Sequence, residues 1–232
     1  MIFRQLFDSV SSTYTYVLAS GPGRAAAIID PVREKMEDYL ALFSALDLQL
    51  AYALDTHTHA DHITGLGALR DVTNCTTLMS EFTKAECVSR RLRDGEQIEF
   101  DGLRLTALYT PGHTSESFSY VLGSDTPRAV FTGDALLIRG TGRTDFQGGD
   151  PGKSWDSIAT KLFALPDETI LYPGHDYKGW TSSSIGEEKK ANPRIAGKSR
   201  QEYIDIMNGL NLPSPKLMDV AIPANLACGR PR

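Results

Sequence analysis

Cysteine is the first scarcity in this 232-residue chain: Cys75, Cys87 and Cys228 are an odd number, and none falls in C-x-x-C spacing. That pattern suggests neither a disulfide framework nor a cysteine zinc site, and no redox pair can be read from it. Long apolar runs are missing too. None approaches the roughly 18 residues that span a bilayer, and residues 1–8 lack the basic head and apolar stretch of a secretory signal. Basic charge is not in excess, since 24 Lys and Arg face 29 Asp and Glu for a net charge of −5, which argues against a polyanion-binding surface. No repeat with the period of solenoids or propellers is present. What is there is a globular composition: 41% hydrophobic and 23% charged residues provide enough apolar surface to offset the entropy of ordering a core. A soluble cytoplasmic protein is expected, without a nucleic-acid or membrane partner.

Strand-like and helix-like patterns alternate along the chain. Tyr14, Thr15, Tyr16, Val17 and Leu18 make a β-branched and aromatic run ending at the turn Gly21-Pro22-Gly23, and 25–29 is a second strand. Asp30-Pro31 reads as a helix N-cap followed by the first helical residue. Met36, Tyr39, Leu40, Phe43 and Leu46 then share one face of a helix running to about residue 45, and 48–54 is a buried strand. Further strands are expected at 76–79, 97–100, 103–109, 117–122, 128–132 and 169–172, and helices at 63–70, 153–165 and 201–210. This order predicts packed sheets with helices outside and a site at the strand ends. The expectation is one domain over 1–232, with 180–232 a C-terminal lid or wrapping segment.

The five histidines are not scattered. His57, His59 and His62 fall in Thr56-His57-Thr58-His59-Ala60-Asp61-His62, an H-x-H-x-D-H arrangement directly after a strand. In extended backbone His57 and His59 point to the same side, and Asp61 adds a carboxylate. His113 and His175 each follow a strand and a Pro-Gly turn, which leaves the imidazole at the strand's end. Asp134 follows Gly133 at the end of another apolar strand. Each of the last three alone reads as a turn. Together they are a metal centre, of donors that suit zinc, iron or manganese.

The order H-x-H-x-D-H, Pro-Gly-His, Gly-Asp, Pro-Gly-His resembles the metallo-β-lactamase fold superfamily. The resemblance implies an α/β (α+β) fold, an αββα sandwich of two mixed β-sheets flanked by helices. Two thiol-metabolism families within it look closest: glyoxalase II, a dinuclear hydrolase of glutathione thioesters, and persulfide dioxygenase, a mononuclear iron enzyme. The run from Gly133 through Arg139 and Gly140 to Thr141-Gly142-Arg143-Thr144-Asp145-Phe146-Gln147 resembles the persulfide dioxygenase signature, as do Met207-Asn208-Gly209-Leu210-Asn211-Leu212-Pro213 and Ile222-Pro223-Ala224-Asn225-Leu226. Residues 178–232 leave little room for the longer helical tail of glyoxalase II. The sequence departs from close relatives at Thr58, where cysteine can stand.

The ligand inventory does not separate the two families. A dinuclear site would use His57, His59 and His113 for one metal and Asp61, His62 and His175 for the other, with Asp134 bridging. Resemblance to persulfide dioxygenase implies one Fe(II) per chain on His57, His113 and Asp134, a two-histidine, one-carboxylate triad. His59, Asp61, His62 and His175 would then orient ligands and water by hydrogen bonds. The implied reaction converts glutathione persulfide, O₂ and water to sulfite and glutathione, and a homodimer is allowed. A third reading, a diiron electron carrier on this fold, is disfavoured because its second motif position is Glu rather than His59 and a flavin domain usually follows. Glutathione's carboxylates call for cations. Arg143 and Tyr177 match positions of glutathione contacts in the glyoxalase II pattern, against the plainer readings of a surface ion pair and a core hydroxyl. Arg139 is a weaker candidate that could pair with Asp145, while Arg194, Lys198 and Arg200 read as a solvated face.

Overall fold

The computed structural model describes residues 1–123, 126–215 and 217–230, so that residues 216, 231 and 232 of the expected C-terminal segment lie outside the described residues. The chain divides into two compact units: Met1–Leu92 with Glu99–Leu103 and Ser214–Arg232, and Arg93–Ile98 with Arg104–Pro213.

The first unit is built on β2 (Thr13–Ala19), buried along its whole length as a run of aromatic and aliphatic residues demands. It pairs antiparallel with β1 (Ile2–Asp8) and with β3 (Ala25–Ile29). Then β4 (Gln49–Leu54), β5 (Thr76–Ser80) and β6 (Arg90–Leu92) add in parallel, giving a six-stranded mixed sheet in sequence order. Tyr39 and Phe43 of α1 (Met36–Ala45), with Leu66 and Leu69 of α2 (Leu66–Thr73), pack against Val17, Ile28, Ala53 and Met79 of this sheet.

The second unit carries the other mixed sheet, in the order β12-β11-β10-β9-β8-β7. Its strands are β7 (Gln97–Phe100), β8 (Leu103–Tyr109), β9 (Phe118–Leu122), β10 (Ala129–Gly133), β11 (Ile170–Pro173) and β12 (Ser183–Ser184). The helix α3 (Pro151–Ser157) starts at the Asp150 cap and continues as a π-helical turn through Ile158–Leu162. Next come α4 (Ile185–Ala191) and α5 (Arg200–Asn208), the latter opened by a Ser199/Glu202 capping box. Ile158, Leu162, Ile185 and Tyr203 bury against Val130 and Leu171. Two mixed sheets flanked by helices are the α/β architecture that the motif order implies. No helix among the described residues is long and apolar enough to cross a membrane.

Several local expectations are corrected. Asp30 is not a helix cap: it has a φ of 51°, the helical turn starts at Arg33, and its carboxylate faces the histidine segment instead. The helix expected from residue 63 begins at Leu66, because Thr64 bridges Val32 and closes the loop first. β1, β6, β12, α4 and α6 (Met218–Leu226) are additional to the expected elements, and α6 forms despite Pro223 in its interior. Arg139 pairs with Glu187 and the fully buried Glu188, not with Asp145. Arg194 leaves the solvated face and donates to the Thr141 carbonyl. Cys87 and Cys228 form a disulfide across a separation of 141 residues, while Cys75 is buried and free. The odd count and the long separation hid that pair.

Candidate metal centre

In the first unit the parallel strands β3 and β4 end side by side, so Asp30 and the segment from Asp55 onward emerge at one sheet edge. The Asp30 carboxylate accepts from the Thr56 backbone N–H at 2.7 Å and from Thr56 Oγ1 at 3.0 Å. Thr56 thereby spends its only hydroxyl proton on Asp30. Its oxygen must accept in the 2.9 Å contact with His57 Nδ1, which puts the proton of His57 on Nδ1 and its lone pair on Nε2. Asp30 Oδ1 also meets His59 Nε2 at 3.1 Å. His59 is fully buried, and its Nδ1 has no hydrogen-bond partner among the described residues. Burial pushes its pKa down. The charge and hydrogen bond of Asp30, helped by Asp55 and Asp61, outweigh burial and raise it to about 9.

β2 runs antiparallel to β3, so its first residue, Thr13, reaches the same edge. There Thr13 Oγ1 lies 3.0 Å from Asp61 Oδ2, and Asp61 meets His62 Nδ1 at 3.0 Å. The rings of His57 and His59, and of His59 and His62, are 4.2 Å apart. His59, Asp61 and His62 each present a ligand atom within 4.8 Å of the others, as do Asp30, Asp55 and His59.

In the second unit β9 runs against both β8 and β10, and β11 runs parallel to β10, so β8, β10 and β11 share one direction. Their C-terminal ends deliver His113, Asp134 and His175 to one edge. His113 Nδ1 donates to the Arg143 carbonyl at 2.8 Å, which leaves the lone pair on Nε2, 3.6 Å from Asp134 Oδ2. A lone pair facing a carboxylate oxygen is repulsive until a cation or proton joins them. The other oxygen, Oδ1, accepts from His175 Nδ1 at 2.7 Å. Gly142 makes this closeness possible. Its N–H donates to the Asp134 carbonyl at 2.8 Å, and a Cβ there would lie 2.2 Å from that oxygen and 2.9 Å from the His113 ring. Imidazole nitrogens with fixed tautomers and a carboxylate held on one oxygen are donors suited to a first-row transition metal.

Among the other expected residues, Tyr177 is 74% exposed and stacks parallel on His175 at 6.1 Å, so it is not a core hydroxyl. Arg143 is held by both Asp145 oxygens at 2.7 Å, donates to the Pro213 carbonyl at 2.7 Å, and lies 4.5 Å over the Phe146 ring. Asp30 is the residue that sequence reasoning missed. Its signal was the same as for Asp134, a carboxylate at the end of an apolar strand, but the following proline made it read as a cap.

Residues 8–175 match the metallo-beta-lactamase superfamily. The mitochondrial persulfide dioxygenase ETHE1 of Homo sapiens is 43% identical over 230 residues, covering 99% of this chain and 89% of the relative. The crystal structure of ETHE1 from Myxococcus xanthus is 55% identical with a TM-score of 0.95, over 99% of this chain and all of that one (100%). A metallo-beta-lactamase from Staphylococcus aureus is 25% identical with a TM-score of 0.88, over 97% and 71% of the two chains.

The His59–Asp30 pair makes the metal-free protein pH-sensitive in a stated direction. The pKa of His59 is raised from 6.5 to about 9, so its contribution to stability is complete below pH 6.5 and is lost as pH rises through about 9. Thermal denaturation of metal-free protein should show wild type losing stability across that window and Asp30→Asn following a flatter curve. Parallel curves for the two proteins would contradict this account of the pair.

Proposed function

Because the chain belongs to the persulfide dioxygenase family of the metallo-beta-lactamase superfamily, we propose that it is a non-haem iron(II) dioxygenase that converts glutathione persulfide, O₂ and water to sulfite and glutathione. The observation that carries this reading is the split use of Asp134: Oδ1 is bound to His175 while Oδ2 faces the lone pair of His113. A carboxylate so divided has one oxygen for one metal and one for the histidine that orients it. In this proposal His57, His113 and Asp134 would hold one iron per chain. When bound, iron supplies the electron transfer that lets O₂ react with a sulfur anion.

The remaining work belongs to the chain. The Arg143 carbonyl keeps the His113 proton on Nδ1, and Thr56, backed by Asp30, does the same for His57. His175 fixes the rotation of the Asp134 carboxylate. Asp30 holds the His59 ring, and Thr13 ties Asp61 and His62 to the start of β2, so these residues orient the segment without ligating. Arg143 and Tyr177 line the groove for glutathione. Arg143 meets a glutathione carboxylate by exchanging Asp145 for it, and the exposed Tyr177 ring, stacked on His175, flanks the substrate. Glutathione is an abundant cytoplasmic thiol, and the cytoplasm is the compartment this reading assigns. A dinuclear thioester hydrolase is not favoured, since relatives that are 43% identical over 99% of this chain are persulfide dioxygenases.

Given glutathione persulfide, the iron-loaded protein should consume O₂ and release sulfite, while S-lactoylglutathione is hydrolysed negligibly. Rapid thioester turnover without oxygen uptake would overturn the assignment. The groove has its own test. Arg143→Ala should raise KM for glutathione persulfide about tenfold, the scale of one charge-assisted contact, and change kcat much less. Unchanged constants in folded protein would remove Arg143 from the groove.

A further inference from the structure

The segment from His59 to Thr64 has little regular backbone pairing of its own, yet one side chain from the far end of the sequence reaches along it. Asn225, on α6 and only 3% exposed, donates from Nδ2 to the carbonyls of His59 and His62, both at 2.9 Å. Its Oδ1 accepts from the Thr64 N–H at 2.8 Å. Both amide protons and the amide oxygen are therefore spent on one loop. The chain after Asn225 is fitted just as closely. The Cys228 carbonyl accepts from the Gly67 N–H at 3.0 Å, and the Gly229 carbonyl accepts from Arg33 Nη1 at 2.8 Å. Gly229 has a φ of +78°, and a Cβ there would lie 2.0 Å from the Thr64 oxygen. Three residues beyond Asn225, Cys228 is bonded to Cys87, in the connection between β5 and β6.

We propose that Asn225 is a positioning residue for the metal-binding loop and that the Cys87–Cys228 disulfide is a thiol-reversible clasp that keeps it there. The proposal rests on the reading above only in taking that loop as metal-bearing. Cys87 is half-buried and Cys228 is 1% exposed, so a small thiol meets the Cys87 sulfur first. Its thiolate forms a mixed disulfide with Cys87 and releases the Cys228 thiolate, which takes up a proton. A second thiol frees Cys87 and leaves as the small-molecule disulfide, so two electrons and two protons enter the protein. With the clasp open, Asn225 is held by its own three bonds and by the contacts of Cys228 and Gly229, and the loop samples open states more often. Disulfides in thiol-rich compartments are characteristically transient or sensing ones, and the thiol that opens this one is of the class the proposed reaction releases.

Amide hydrogen exchange on the full metal-free chain tests the proposal apart from any metal binding, so a failed iron assignment would leave its outcome readable. Asn225→Ala should speed exchange over residues 57–64 by about tenfold, the effect of losing one net hydrogen bond, while the second unit is unchanged. Asn225→Asp keeps the acceptor for Thr64 but loses both donors, so the Thr64 amide should stay slow while the rest of the loop speeds up. A small thiol should loosen the same segment in wild type and have no further effect on Cys87→Ser, which is already loose. Loop exchange that ignores Asn225→Ala or the thiol, or that rises evenly across the chain, would overturn the proposal.

Discussion

An imidazole has one proton to place, and where it goes decides which nitrogen can bind a metal. The hydrogen bond from His113 Nδ1 to the Arg143 carbonyl is where this constraint is met most plainly. It turns Nε2 towards Asp134, and it depends on a backbone carbonyl that reaches the ring only because Gly142 lacks a side chain. Arg139, Gly140 and Thr141 are held in turn by Glu188, Asn192, Arg194 and Tyr203. The helical region of the second unit thus acts on the site through the loop that sets a proton's position. In the first unit the relay from His57 through Thr56 to Asp30 does the same with side chains.

The strand-end rule made much of this legible. Each apolar run that ended in a histidine or aspartate proved to be a strand delivering that residue to a sheet edge. The candidate metal-binding residues stood out because few other roles gather three imidazoles and a carboxylate within six residues. What escaped was long-range or locally ambiguous. Asp30-Pro31 has the composition of a helix start, and only the parallel pairing of β3 with β4 shows that its carboxylate serves Thr56 and His59. The disulfide joins residues 141 apart, a separation on which an odd cysteine count gives no guidance. α6 holds a proline that argues against a helix, and its packing of Ala221 and Ala224 overrides that local preference. The pairing of Arg139 with Glu188 likewise needed the fold to bring α4 beside the loop.

On the proposed function, the charge pattern lets an acidic chain serve an anionic substrate. Most cations near the site are already paired: Arg139 with two glutamates and Arg143 with Asp145. On the proposed function a substrate carboxylate takes the place of Asp145 on the Arg143 guanidinium, and the half-exposed Asp145 turns to water. On that reading selectivity comes from geometry rather than from a general positive field, in keeping with a net charge of −5.

The central claim is that seven histidine and aspartate side chains at the strand ends divide into three that bind one metal and four that hold them. Elemental analysis after identical anaerobic reconstitution with iron reads that division directly, in wild type and in His57→Ala, His113→Ala, Asp134→Ala, His62→Ala and His175→Ala. The account predicts one iron per chain in wild type, lost with His57, His113 or Asp134 and retained on replacing His62 or His175, whose activity falls by about 10–100-fold. Two metals in wild type, with one lost on removing His175, would contradict it.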